Sequence, residues 1–89
     1  MLTSYEATAL DNVREWCSDV NHETATAADY ENCYCGADIY TISKACNITE
    51  NQAKGVLSSL VKKGLVVQHD EDYNFMINLT EKGFNAMVK

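Results

Sequence analysis

Basic residues are scarce in this chain of 89 residues: a single arginine, Arg14, and a few lysines stand against 13 aspartates and glutamates, for a formal net charge of −6. That balance excludes an indiscriminate polyanion binder, because affinity for nucleic acid comes mainly from Lys and Arg neutralising phosphates. Long apolar runs are lacking as well. Glu6, Asp11, Arg14, Glu15 and Asp19 interrupt the N-terminal stretch, so it holds no signal-peptide core, and no later run is long enough to span a bilayer. The expectation is a cytoplasmic protein with no membrane partner. A chain of this length buries one modest core, which leaves no room for separate substrate and cofactor lobes. Neither a phosphate-cradling glycine loop nor a nucleophile, base and acid constellation is visible, so neither an enzyme nor a cofactor is expected.

The hydrophobic content of 46% favours a folded chain over a disordered one. Charge is divided unevenly along it. Residues 1–38 hold eight acids against Arg14, whereas residues 39–89 hold six lysines and five acids. The acidity therefore belongs to the front of the chain, and the rest is close to neutral.

Thr3-x-x-Glu6 reads as a capping box opening a helix that ends near Asn21. At about 100° per residue, Tyr5, Ala9, Leu10, Val13, Trp16, Cys17 and Val20 fall on one arc, with Asp11, Glu15 and Asp19 opposite. Residues 21–37 lack clear periodicity and read as an ordered insertion anchored by Tyr30, Cys33, Tyr34 and Cys35, with Thr26 and Asp29 suited to capping a short turn. Asp38 can cap a short helix whose inward side is Ile39, Ile42 and Cys46. Asn47 and Ile48 make a tight turn. Thr49-x-x-Gln52 repeats the capping box and opens a third helix, closed by Gly64, with Ala53, Val56, Leu57 and Leu60 inward. Two alternating segments, 65–69 and 73–79, flank the acidic turn Asp70, Glu71, Asp72 and predict a β-hairpin. Thr80 then caps a last helix carrying Phe84, Met87 and Val88 on its inner side.

The resulting fold class is mainly α with a small β-hairpin. From Ile39 to Gly83 the order helix, turn, helix, hairpin, helix resembles the winged helix-turn-helix superfamily, and LSSLVKKGLV (57–66) with INLTEKG (77–83) looks like the recognition-helix end and wing exit of MarR-type regulators. The resemblance implies one winged-helix domain over 1–89: an acidic first helix (1–20), the insertion (21–37), the helix-turn-helix (38–64), the wing (65–79) and a C-terminal helix (80–89).

It also implies a DNA-binding transcriptional regulator with the third helix in the major groove. Asn51, Lys54, Gly55, Ser58 and Lys62 lie within about 60° of one line down that helix, opposite its apolar arc. Asn51 suits adenine, with Gln52 on the flank; Lys54 and Lys62 suit phosphate or guanine, and Thr49 at the helix start suits a backbone phosphate. Gly55 costs a helix on the order of 1 kcal/mol relative to alanine, which points to close approach by something else. A homodimer would pair two such helices across a pseudo-palindrome, although the long terminal helices that dimerise MarR-type regulators have no room in 81–89. This chain also departs from that pattern: Gly55 and an acidic wing stand where arginines are usual.

The second reading is an acidic protein-interaction module, an adaptor or a phage or mobile-element inhibitor of a host nucleic-acid-binding protein. It would use Asp11, Glu15 and Asp19 on the first helix and Asp70, Glu71 and Asp72 on the wing, carboxylates that can mimic phosphates. Metal is not expected. Cys33-x-Cys35 is spaced more tightly than structural zinc pairs and has no compact second pair, while Cys17 and Cys46 fall on apolar helix faces as small core residues.

Overall fold

Thr3 and Glu6 do satisfy each other: the Thr3 hydroxyl accepts from the Glu6 amide at 3.1 Å, and the Glu6 carboxylate accepts from the Thr3 amide at 2.8 Å. They open α1 (Ser4–Glu15) in a computed structural model of the chain that describes residues 2–17, 20–32, 37–70 and 75–87, with backbone alone at 32, 69, 70, 75 and 76. There follow α2 (Ala27–Asn32), α3 (Ile39–Cys46), α4 (Glu50–Lys62), β1 (Val66–Asp70), β2 (Phe75–Leu79) and α5 (Glu81–Met87). The described chain is mainly α with one two-stranded antiparallel hairpin, an arrangement compatible with a small winged-helix fold. No helix among the described residues is long and apolar enough to cross a membrane.

Short polar side chains punctuate these helices where the sequence places them. The Thr26 and Asp29 side chains each accept from the other's backbone amide at the start of α2, and Asp38 and Thr41 do the same for α3. Asn47 ends α3 in the left-handed conformation (φ 57°), and Gly64 (φ 74°) turns the chain out of α4. The third helix of the sequence reading is α4. The short helical turn expected after Thr26 is the six-residue α2.

Ala9, Leu10 and Val13 of α1 meet Ile39 and Ile42 of α3, Ala53, Leu57 and Leu60 of α4, and Ile77 and Leu79 of β2 in one buried cluster. Two residues assigned to the inner arc of α1 are outside it: Tyr5 is 51% exposed and Trp16 48%. Their sector is buried only at mid-helix, where Asn12 fills it and its Oδ1 accepts the Thr41 hydroxyl of α3 at 2.8 Å, while Tyr5 and Trp16 stand at the two ends of α1. The helix is also shorter than expected. The Cys17 amide folds back on the Arg14 carbonyl at 3.2 Å, and the Cys17 thiol donates to the Val13 carbonyl at 3.3 Å, closing α1 after Glu15 rather than near Asn21.

One face of the hairpin is buried in the core and the other is partly covered, Val67 remaining 44% exposed. Val66 pairs with Leu79 and Val67 with Asn78. Ile77 and Leu79 are fully buried in the cluster. Asn78, expected to face outward by alternation, is buried instead and donates to the Tyr30 carbonyl of α2 at 3.0 Å. Residues 21–32 therefore roof the sheet, with Tyr30 1% exposed as the anchor the sequence suggested. Cys33, Tyr34, Cys35, Asp19, Glu71, Asp72, Tyr73, Asn74 and Val88 lie outside the described residues.

The first turn of α5 is fastened to the α4–β1 turn by one side chain. The Thr80 hydroxyl donates to the Gly64 carbonyl at 2.6 Å and accepts from the Gly83 amide at 3.0 Å, while the Thr80 amide donates to the Leu65 carbonyl at 3.1 Å. Gly83 is buried directly against the Leu65 backbone.

One ion pair crosses from the acidic front of the sequence to its lysine-bearing part. Glu6, 3% exposed, accepts Lys63 Nζ at 2.8 Å and the Ser59 hydroxyl at 2.5 Å. Lys63, Ser59 and the Thr3 amide together hold the Glu6 carboxyl down to about 2, against the opposing effect of burial.

Candidate nucleic-acid interface

α4 buries Ala53, Leu57 and Leu60, so its opposite side faces out. Asn51, Lys54, Gly55, Ser58 and Lys62 are all exposed and lie on that side, as the helical spacing predicts. Lys54 and Lys62 form no ion pair among the described residues, so their charges are available to an external anion. Val61, 40% exposed, adds one apolar contact beside them.

Two of the predicted contacts are already committed within the chain. The Thr49 hydroxyl accepts from the Gln52 amide at 3.1 Å and donates to Gln52 Oε1 at 3.2 Å, and that same oxygen accepts from the Thr49 amide at 3.0 Å. The Gln52 side-chain NH2 takes no part in these bonds, and the Thr49 hydroxyl serves as the helix cap. Ser59, which the sequence grouped with Gly55 and Ser58 as a low surface, turns inward to Glu6.

Gly55 has no internal reason to be glycine. A Cβ built there would meet nothing within 4 Å. Gly55→Ala is expected to raise stability by about 1 kcal/mol, a Tm increase of about 4–8 °C in a domain of this size, read by thermal melting followed by circular dichroism. An unchanged or lower Tm would mean that something in the folded chain occupies that space.

α3 contributes residues the sequence reading passed over. Tyr40, 57% exposed, carries the Lys44 ammonium 5.3 Å from its ring centroid, a cation–π pair on the outer side of the helix preceding α4. Their spacing of four, opposite Ile39 and Ile42, was the available signal. Over Ile39–Lys63, four lysines face Glu50 as the one acid, and Lys63 is held by Glu6. Lys44, Lys54 and Lys62 are left as the outward cations.

The alternative surface is divided. Asp11 and Glu15 are exposed on α1, on the side opposite its buried stripe. Asp70 ends β1, whereas Asp19, Glu71 and Asp72 fall outside the described residues. Among the described residues, no three His, Cys, Asp or Glu side chains are grouped to hold a metal ion. Cys17 and Cys46 are free thiols, and burial pushes the Cys46 thiol up, away from the reactive thiolate.

No family model matches the sequence, and no curated protein or solved structure matches the chain.

Proposed function

We propose that the chain is a DNA-binding domain of winged-helix type, a small transcriptional regulator that lays the outward face of α4 in the major groove. The observation that carries this reading is the stripe of Asn51, Lys54, Gly55, Ser58 and Lys62, exposed, without ion pairs, and centred on a glycine whose surface is open. Without a side chain at Gly55, a duplex backbone can come close to the helix, while Lys54 and Lys62 reach phosphates or guanine edges and Asn51 reaches adenine. Lys44, exposed on the α3 helix that packs against α4, adds a third outward cation. Asp11 and Glu15 are exposed on the side of α1 opposite its own buried stripe.

Three phosphate contacts per protomer imply that log K falls with log salt at a slope of roughly −2 to −3. Titration of a random-site duplex library at low salt, followed by fluorescence anisotropy, is expected to show saturable binding with that dependence. Lys54→Glu combined with Lys62→Glu should weaken it by about a hundredfold or more and remove about two units of the salt slope. No binding at tens of micromolar would overturn the reading.

A second reading rests on exposed aromatics. Tyr5, Trp16 and Tyr40 are each about half exposed, and such side chains concentrate at protein interfaces. With Asp11 and Glu15 nearby on α1, they suit an acidic interaction module acting on a basic protein. Binding to such a partner through α1 survives the Lys54 and Lys62 exchanges, which separates the two readings.

A further inference from the structure

Arg14 is the chain's one arginine, and its position is not explained by α4 or by the core. It stands in the last turn of α1 beside a pocket of about 350 Å³ that α1, residues 22–25, α2 and α5 enclose. Its Nε donates to the Tyr30 hydroxyl at 3.3 Å, and its guanidinium makes no ion pair among the described residues. With Nε held, the two terminal nitrogens keep the forked geometry that binds a carboxylate through two parallel hydrogen bonds. His22 Nδ1 lies 2.8 Å from the same hydroxyl, and its ring stacks on Tyr30 at 5.8 Å. Tyr30 is buried and backed by Phe84 at 5.6 Å, so it fixes Arg14 and His22 with respect to each other.

The remaining walls decide the ligand. Asp11, one turn before Arg14 on α1, and Glu23 also line the pocket and bring it two carboxylates, neither in an ion pair among the described residues. Ala25, Phe84 and Met87 form an apolar wall and keep part of their surface open. A simple anion meets two like charges here. A simple cation meets the guanidinium. A molecule carrying both charges on adjoining atoms, with an apolar side chain to cover the wall, satisfies every group present, and the volume lies at the small end of ligand sites.

We infer that this pocket binds a small zwitterion with an apolar side chain, of the free amino acid class, with its carboxylate on Arg14 and its ammonium on Asp11 and Glu23. The inference is independent of what α4 binds.

The test is a ¹H–¹⁵N NMR titration of the intact chain with L-leucine, L-methionine and L-phenylalanine in turn. Two leucine analogues, isocaproate without the ammonium and isoamylamine without the carboxylate, complete the series. At least one amino acid should produce saturable shifts at the Arg14 Nε–H and at amides of 22–30, with a Kd of about 1 mM or tighter. For leucine, each analogue should bind at least about tenfold more weakly, the loss expected for one charge-assisted contact. Asp11→Asn changes an exposed side chain and leaves the Tyr30 network in place. It should weaken amino acid binding by about tenfold without weakening isocaproate. Absence of saturable shifts at about 20 mM of every amino acid, a site well below any useful affinity, overturns the inference. So does isocaproate binding as tightly as leucine, which would mark a plain anion site.

Discussion

Gly83→Ala is expected to destabilise the chain by about 3 kcal/mol or more, lowering Tm by at least about 10–20 °C and approaching the whole stability of a small domain. A Cβ at Gly83 would overlap the Leu65 carbonyl oxygen and lie 3.0 Å from its carbon. Those atoms are backbone and cannot swing aside. Leu65 is also held by the Thr80 amide, and Thr80 ties Gly64 to Gly83. Relief of the overlap therefore means lifting α5 from the α4–β1 turn. Thermal melting of the variant measures the loss, and a Tm equal to or above that of the parent would show that α5 does not rest on Leu65. By intrinsic propensity alone, alanine is better than glycine in a helix at both Gly55 and Gly83. Surroundings reverse the sign at one of them.

Acid should remove a second large contribution, through Glu6. Its carboxyl titrates at about 2 in the folded chain against an ordinary value of 4.5, chiefly because Lys63 and Ser59 hydrogen-bond the charged form. A group whose value is depressed by folding stabilises the fold above its unfolded value. That contribution is lost as pH falls from about 4.5 toward 2 and is absent below both values. The difference corresponds to roughly 3 kcal/mol. Urea unfolding of the parent and of Glu6→Gln across this range should give curves that differ near neutrality and converge in acid. Parallel curves would sink the assignment. Lys63→Met should be worse than Glu6→Gln at neutral pH, since it leaves a carboxylate buried without its cation, whereas Lys63, 40% exposed, can turn to water when Glu6 is neutral.

Much of the framework was legible because it is written in local rules. Thr3, Asp38 and Thr49 cap helices through side chains three residues away, and Asn47 and Gly64 adopt the left-handed backbone a helix end requires. The outward stripe of α4 followed from the same periodicity. What stayed hidden depends on distant partners. Asn12 looks like a surface residue until Thr41 is placed beside it, and Asn78 breaks the alternation of β2 because α2 supplies a carbonyl. Glu6 was legible as a capping-box carboxylate, and only the packing of α1 on α4 brings Ser59 and Lys63 to it. The Arg14 pocket drew on three segments, 11–14, 22–30 and 84–87, that share no sequence pattern. Thr49 and Gln52 show the converse. Their motif was legible in the sequence, and the structure uses both side chains in the cap.

Tyr30 gives residues 21–32 a different standing from an ordinary surface excursion. Its hydroxyl orients Arg14 and His22, its ring rests on Phe84, and its carbonyl receives Asn78. A two-stranded hairpin is all edge, and such ribbons invite pairing with strands of other molecules when uncovered. α2 packs on β2. A version of this chain with 21–32 shortened to a bare linker would therefore uncover the Asn78 side of that strand and leave the ribbon more open to such pairing.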